Sequence, residues 1–156
     1  MKQPDALNQV AEFHKTFQHP VLDKPTIPNE KRSALRVSLI AEELQELEDA
    51  IKANDLVEVA DALCDIQYVL SGAILEFGLA DKFKALFDEV QRSNMSKACK
   101  TEAEAKDTVR HYSEIRNTPC YFKEVDGKYL VFRTEDNKTL KSINYSPADL
   151  RSILER

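Results

Sequence analysis

The sequence predicts an all-α fold, a helical bundle with a small β-hairpin near its carboxyl end. Its 156 residues include only three glycines and no tryptophan, and Leu, Ala, Glu and Lys are abundant, which favours helices over a turn-rich β fold. Apolar residues recur three and four positions apart along much of the chain. One later stretch, CYFKEV-DG-KYLVFRT, instead has the composition of two strands joined by a tight turn.

Two helices are expected in the amino-terminal third. Apolar spacing predicts an amphipathic helix from about Asp5 to Gln18. The connector that follows, HPVLDKPTIPNE, contains three prolines, which block regular structure. A long helix should then run from near Pro28, because proline suits the first helical turn, to Ala53, with Asn54 as its stop.

The central part of the chain is expected to form two more helices. Asp55 can cap a helix that runs to Phe77 and ends at Gly78. Asp81 is the expected cap of the next helix, which should reach about Arg92.

The last third combines helix and strand signals. The capping-box sequence TEAE at residues 101–104 should open a helix towards Ile115, and the residues 146–149 have the composition of a helix start after the hairpin. We therefore expect an all-α domain over residues 1–116, with residues 117–156 as a β-hairpin and short helix that extend the same domain.

Composition and charge exclude several classes of protein. No apolar run approaches the roughly 18 residues needed to span a bilayer, and the first ten residues, MKQPDALNQV, lack an apolar signal-peptide core. The net charge of −5 argues against nucleic-acid binding. The odd set of cysteines without C-x-x-C spacing, Cys64, Cys99 and Cys120, argues against disulfides or zinc. We expect these cysteines to be small buried hydrophobes in a reducing cytoplasm.

Acidic residues are concentrated in the centre of the chain. Between Val37 and Asp81 the only basic residue is Lys52, whereas eleven residues are acidic, so this stretch carries a charge of −10 and the rest of the chain +5. Helical spacing places five of the acids beside the apolar stripes of two consecutive helices, with no basic residue three or four positions away. These five are Glu43, Glu46, Glu58, Asp61 and Asp65.

Two interpretations of these acids are open. Acidic helix faces are usually solvated, and a single glutamate here needs no other explanation. Five unpaired carboxylates at adjoining apolar margins, however, would raise one another's pKa values unless a cation balanced them. Because ligation by oxygen alone selects hard cations, we predict a Mg²⁺ site, with Mn²⁺ as a possible substitute.

Two motifs in the acidic stretch resemble a known signature. E-x-x-E at residues 43–46 and E-x-x-D at 58–61, on consecutive helices, are similar to the motif of the all-α nucleoside-triphosphate pyrophosphohydrolases. That superfamily includes MazG-like proteins, dimeric dUTPases and phosphoribosyl-ATP pyrophosphohydrolase. The segments FHKTFQHP, FDEVQRSNMSK and GKYLVFR…LKSINYSPADL also resemble a MazG-like, phosphoribosyl-ATP-pyrophosphohydrolase-like branch, so the similarity covers roughly residues 13–150.

The resemblance implies a role for each matching acid. The Mg²⁺ ligands would be the four motif residues Glu43, Glu46, Glu58 and Asp61. Asp65, one turn further on, would be another ligand or would accept a hydrogen bond beside them. Glu42 would orient or deprotonate the attacking water, so that Glu42, Glu43 and Glu46 form the catalytic group.

Substrate-binding residues are implied outside the acidic stretch. Asn94 and Lys97 would contact the sugar or the phosphates, with Arg92 and Lys100 as secondary candidates, although asparagine and lysine are also common at helix ends. His14 could touch the base or the sugar, but its position on an apolar helical face equally suits a core histidine.

The activity implied is the Mg²⁺-dependent cleavage of an NTP or dNTP to its monophosphate and pyrophosphate, by a homodimer or higher homo-oligomer. We expect house-cleaning of deoxynucleotides of the dUTP or dCTP type, or of noncanonical nucleotides, because the terminal extensions are unlike a minimal phosphoribosyl-ATP enzyme. The alternative is a non-catalytic helical module for nucleotide binding or dimerisation. A di-iron bundle is excluded because no histidine has a glutamate three residues before it, and the scarcity of glycine excludes a P-loop.

Overall fold

Six α-helices and a two-stranded antiparallel sheet form the computed structural model, which describes residues 1–156. The helices are α1 (Ala6–Thr16), α2 (Glu30–Ala53), α3 (Leu56–Glu76), α4 (Ala80–Met95), α5 (Glu102–Arg110) and α6 (Arg151–Leu154). A π-helical turn, His111–Ile115, follows α5, and the strands are β1 (Cys120–Val125) and β2 (Lys128–Arg133). The predicted helical bundle with a carboxyl-terminal hairpin is confirmed.

Two compact units divide the chain, residues 1–84 and residues 85–156. The division falls inside α4, whereas the change from helices to strands comes after residue 116. No single helix is both long and apolar enough to cross a membrane, and only the bent pair of α3 and α4 passes that test together.

The ends of α2 and α3 follow from local hydrogen bonding. The side chain of Asn29 accepts a hydrogen bond from the backbone N–H of Arg32 at 3.0 Å, so α2 begins after Pro28 and the expected proline in its first turn is not found. Asn54 ends α2 in the left-handed region, at φ 53°, as predicted. Asp55 caps α3 as predicted, because its side chain accepts the first backbone N–H groups of that helix.

The connector between α1 and α2 packs on the carboxyl end of α3. The backbone N–H of Leu22 donates to the carbonyl of Leu75 at 3.0 Å. Gly78 then turns the chain at φ 65°, and a Cβ at this position would lie 2.0 Å from the carbonyl oxygen of Lys24. Glycine is therefore required both for the helix stop and for the close approach of the connector.

Within the first unit, α2 packs along α3, and α1 packs on α3. The buried apolar residues of this unit are Val10, Ala50, Ala62, Ile74 and Leu75. Glu76, one of the eleven acids of the central stretch, is buried against Arg32 and Arg36 of α2. Helix packing thus neutralises one of the eleven central acids.

The second unit has a core of its own, between α5 and the hairpin. Cys99, Ala105, Val131 and Leu140 are its buried residues. The turn of the hairpin has φ 51° at Asp126 and φ 72° at Gly127, the positive values that a two-residue turn with D-G requires. The predicted hairpin is therefore confirmed.

Two helix starts differ from the predictions. Asp81 lies inside the first turn of α4 and does not cap it, because the backbone N–H of Lys82 already bonds to the carbonyl of Leu79 at 3.0 Å. α6 begins at Arg151, beyond the predicted start at residues 146–149, which run instead as irregular chain beside α4.

The three cysteines are free and differ in exposure. Cys99 is fully buried, as predicted, and Cys120 is half-buried. The expectation of burial is wrong for Cys64, which is exposed on α3.

Candidate active site

A helical hairpin brings the predicted carboxylates together. Only Asn54 and Asp55 separate α2 from α3, so the two helices run side by side in opposite directions. Three of the acids lie on α2, namely Glu42, Glu43 and Glu46. The other three lie on α3, namely Glu58, Asp61 and Asp65.

Glu43 is the most desolvated member of this group. Its side chain is half-buried, and its Oε2 atom is buried without a hydrogen-bond partner. Burial raises the pKa of Glu43 above its ordinary value, and the negative charges of Asp65, Glu46, Glu42 and Asp61 raise it further, in that order. Four of the other five acids therefore act on Glu43, while the fifth, in the first turn of α3, is exposed to solvent.

No cation of the protein neutralises these acids. By contrast Glu48 and Asp49, on the outer side of α2, both pair with Lys52, at 2.7 and 3.5 Å. No three His, Cys, Asp or Glu side chains approach closely enough to form a complete metal site in this arrangement. The donor set still fits a hard divalent cation, because all the donors are carboxylate oxygens and one of them is buried with nothing to balance it.

A cavity lies between α1, α2 and α3 beside the acids. Its volume is about 350 Å³. Its lining is mostly apolar and aromatic and consists of Val10, Phe13, His14, His19, Leu35, Arg36, Leu39, Tyr68 and Val69. Leu39 lies four residues before Glu43 on α2, and Val69 four residues after Asp65 on α3. One helical turn therefore separates the cavity wall from the carboxylates.

Arg36 and His14 are the buried polar residues of this cavity, with exposed fractions of 7% and 2%. His14 donates through Nδ1 to the carbonyl of Pro20 at 2.9 Å, and burial lowers the pKa of His14, so the ring is neutral at pH 7. Arg36 pairs with Glu76 through Nη2, whereas its Nε atom is buried without a partner. A Cβ at Gly72 would lie 2.6 Å from Arg36 Nη1, so glycine makes room for the guanidinium.

The sequence interpretation missed two residues of the cavity. Tyr68 is 39% exposed, and its ring makes an edge-to-face contact with Phe13 at a centroid distance of 5.6 Å. Arg36 is not among the predicted site residues, although Arg32 and Arg36 are spaced four apart immediately before the acidic stretch. That spacing places both arginines on one face of α2, and it is the one sequence pattern that indicates a buried acidic partner for them.

The predicted phosphate-binding residues lie in the second unit, at the carboxyl end of α4 and just beyond it. Lys97 donates through Nζ to the side-chain oxygen of Asn94 at 2.8 Å. Arg92 is already paired, since its Nε donates to Glu89 at 2.7 Å. Lys100 is exposed. Of the four, only Arg92 has a side chain that is paired with an acid.

The fold and the acids together define a class of enzyme. A helical hairpin with E-x-x-E on one helix and E-x-x-D on the next has the arrangement of the all-α nucleotide pyrophosphohydrolases. The model of the phosphoribosyl-ATP pyrophosphohydrolase family matches residues 10–94, more than half of the chain, and the chain belongs to that family. It is an enzyme that hydrolyses phosphoric anhydride bonds, as the sequence predicted.

A viral protein is similar over nearly the whole chain. This is the uncharacterized protein L479 of Acanthamoeba polyphaga mimivirus, which is 26% identical over 94% of each chain. The family match includes all six acids and the cavity residues and ends at Asn94. Because it covers 94% of this chain, the similarity to the viral protein also includes most of residues 95–156, which lie outside the family match.

Proposed function

We propose that this enzyme cleaves a nucleoside or deoxynucleoside triphosphate to its monophosphate and pyrophosphate, with Mg²⁺ as cofactor and Mn²⁺ as a substitute. The observation that supports this most is the side chain of Glu43, which has a buried unpartnered oxygen and four acidic neighbours. A buried carboxylate without a partner is costly, and a bound cation removes that cost.

The acids divide into metal ligands and a base. The ligands would be the four motif residues together with Asp65: Glu43, Glu46, Glu58, Asp61 and Asp65. Asp65 gains support as a ligand because it is half-buried and, of the neighbouring charges, raises the pKa of Glu43 most. Glu42 is exposed beside them and would orient the attacking water and accept its proton. Mg²⁺, when bound, would offset the charge of the phosphates and of the leaving pyrophosphate.

The cavity beside the acids is suited to the nucleoside end of the substrate. Its volume of about 350 Å³ is within the range of small-molecule sites. The rings of Phe13 and Tyr68 offer stacking surfaces for a base. The guanidinium of Arg36 lines the cavity, and its Nε–H, which has no partner in the protein, would donate to a carbonyl oxygen of the base once the side chain turns towards the cavity.

For the substrate we propose a deoxynucleotide of the dUTP or dCTP type, or a noncanonical nucleotide. Both pyrimidine bases carry a ring carbonyl that the Nε–H of Arg36 can bind. Residues 95–156 lie outside the family match, so the chain carries a structured addition to the region that it shares with phosphoribosyl-ATP pyrophosphohydrolases. A house-cleaning role fits this difference better than a role in histidine synthesis.

Exposed apolar residues on α2 and α3 support a homodimer or higher homo-oligomer. Each helix carries one row spaced seven residues apart, with exposed fractions between 40% and 79%: Val37, Leu44 and Ile51 on α2, and Leu56, Leu63 and Leu70 on α3. Rows of this spacing are typical of helices that pack on a partner helix, and we propose a second copy of the chain as that partner. The free cysteines suit a cytoplasmic enzyme.

A pyrophosphate-release assay tests the proposed reaction. The purified protein is incubated with canonical and modified NTPs and dNTPs, including dUTP, dCTP and phosphoribosyl-ATP, with Mg²⁺, with Mn²⁺ or with EDTA. We expect metal-dependent release that is fastest with a deoxynucleotide. Fastest release from phosphoribosyl-ATP would replace the substrate proposal, and no release from any nucleotide would favour a non-catalytic binding or dimerisation module.

A further inference from the structure

The buried carboxylate of Glu76 holds its two arginine partners in different ways. Arg32 uses two nitrogen atoms, since its Nε donates to Oε2 of Glu76 at 2.9 Å and its Nη2 donates to Oε1. Arg36 uses one nitrogen atom, since its Nη2 donates to the same Oε1. Arg32 therefore forms the two-point contact that is typical of an arginine and a carboxylate, whereas Arg36 is attached to one oxygen through a single nitrogen.

The remainder of the Arg36 guanidinium is not fixed by hydrogen bonds of the same kind. Its Nε atom is buried without a hydrogen-bond partner, and Nη1 lies against Gly72, where a Cβ would come within 2.6 Å of it. A guanidinium that is attached through one nitrogen can turn about that contact. Arg36 also lines the cavity between α1, α2 and α3, so such a turn brings its Nε–H towards the cavity.

Arg36 has the same two nitrogens available for Glu76 that Arg32 uses. Nε and Nη2 on one edge of a guanidinium can donate two parallel hydrogen bonds to a carboxylate, which is the stronger arrangement. In this structure Oε2 of Glu76 already accepts from Arg32. Because an unpartnered buried N–H is costly, an Oε2 that Arg32 did not occupy would attract the Nε–H of Arg36, which is only 7% exposed.

We propose that Arg32 is a positioning residue for substrate binding: it occupies both oxygens of Glu76 and so keeps the Nε–H of Arg36 free to bind a carbonyl oxygen of the base. This role rests on the proposed function, because it takes the cavity as the site of the nucleoside. Arg32 does not line the cavity and acts only through Glu76 and Arg36. The free Nε–H favours bases with a ring carbonyl, such as uracil, over adenine, which has none.

NMR spectroscopy of the arginine side chains in the ligand-free full chain, in EDTA, tests the pairing without turnover. In Arg32→Gln the Nε–H proton of Arg36 should move downfield, because it gains a hydrogen bond to Glu76. Lys31→Gln is the matched control, since it removes an exposed positive charge from the adjacent position and should leave the resonance in place. A resonance that does not move in Arg32→Gln would overturn the proposal.

Addition of a nucleoside to the same samples tests the contact with the base. In the wild type, 2′-deoxyuridine should shift the Nε–H resonance of Arg36 and 2′-deoxyadenosine should shift it much less. In Arg32→Gln the response to 2′-deoxyuridine should be lost, because the Nε–H is held by Glu76. An equal response to the two nucleosides, or a full response in Arg32→Gln, would overturn the proposal.

Steady-state kinetics with the best pyrimidine nucleotide separates positioning from charge balance. Arg32→Gln and Arg32→Lys should both raise KM about tenfold and leave kcat within about twofold, because the loss of one charged hydrogen bond weakens binding of the base alone. Lysine keeps the charge but lacks the two-point contact, so wild-type KM in Arg32→Lys would overturn the proposal. Arg32→Lys also serves for every measurement where Arg32→Gln does not fold.

The failure of this role and the failure of the proposed reaction give different results. Turnover by the wild type without the expected shift of the Arg36 resonance in Arg32→Gln would overturn the role of Arg32 alone. No turnover of any nucleotide, with the shifts in Arg32→Gln and with 2′-deoxyuridine as expected, would overturn the proposed reaction and leave Arg32 as a positioning residue of a nucleoside-binding site.

Discussion

Arg36 on α2 and Glu76 on α3 form an ion pair that is almost completely buried, with exposed fractions of 7% and 1%. Arg32, one turn earlier on α2, also donates to Glu76, through Nε at 2.9 Å. These contacts link the amino-terminal part of α2 to the carboxyl end of α3. At this end of the helical hairpin the buried charges are therefore balanced. Beyond the cavity, the buried carboxylate oxygen of Glu43 has no partner that balances its charge.

Glu76→Gln should destabilise the protein strongly. The substitution keeps the shape of the side chain but leaves the two arginines without a counter-charge, and removing one partner of a buried pair costs about 3–5 kcal/mol. Urea unfolding at pH 7 measures the free energy of unfolding. Glu48→Gln, which affects only an exposed pair with Lys52, should change it by less than about 1 kcal/mol, and an equal loss in both variants would contradict this assignment.

Stability should depend on pH through the same carboxylate. Burial alone would raise the pKa of Glu76, but the hydrogen bonds from Arg32 and Arg36 outweigh it and hold the pKa below the ordinary 4.5. A lowered pKa in the folded state means that the stabilisation is complete above pH 4.5 and is lost as the pH falls through the folded value. The difference in unfolding free energy between wild type and Glu76→Gln should therefore shrink below pH 4.5. A difference that is constant with pH would show that Glu76 is not the carboxylate responsible for this pH dependence.

Glu43→Gln should stabilise the metal-free protein and remove its response to metal. Loss of one charge from a group of like charges should add about 0.5–1 kcal/mol to the free energy of unfolding in EDTA. In the wild type, Mg²⁺ at about 100 times its Kd should raise the Tm by about 5 °C or more, and in Glu43→Gln that rise should be absent or much smaller. Differential scanning fluorimetry measures both effects. A Glu43→Gln protein that is destabilised in EDTA would show that Glu43 has a partner in the folded state.

Leu63→Lys should dissociate the oligomer, because it places a charge in the exposed apolar row of α3. Size-exclusion chromatography with light scattering measures the mass in solution, which for one chain is 17.8 kDa. Val125→Lys, at an exposed apolar position of the hairpin, is the matched control and should keep the mass of the wild type. If the wild-type protein is itself a monomer in solution, the proposal that a second copy of the chain packs on these rows is wrong.

The helices were predictable because their boundaries depend on nearby residues. Asn54 and Asp55 stop one helix and cap the next through their own conformations and side chains, and the D-G turn determines the hairpin in the same way. The placement of Glu43 and Asp65 on neighbouring faces followed from helical periodicity, since only a two-residue connection separates the helices.

Features that depend on distant parts of the chain could not be predicted in this way. The pairing of Glu76 was not predictable, because its partners Arg32 and Arg36 precede it by 44 and 40 residues. Cys64 and Leu63 are exposed on α3, which apolar periodicity alone does not reveal.

The central claim is that the carboxylates between α2 and α3 carry out a metal-dependent hydrolysis. Pyrophosphate release by Glu46→Gln, measured beside Glu48→Gln with the best nucleotide and saturating Mg²⁺, tests it most directly. Both variants remove one negative charge from α2, but only Glu46 belongs to the acids that act on Glu43. We predict a loss on the order of 100-fold or more for Glu46→Gln and nearly full activity for Glu48→Gln. Equal activity of the two variants would contradict the claim and place the reaction elsewhere in the molecule.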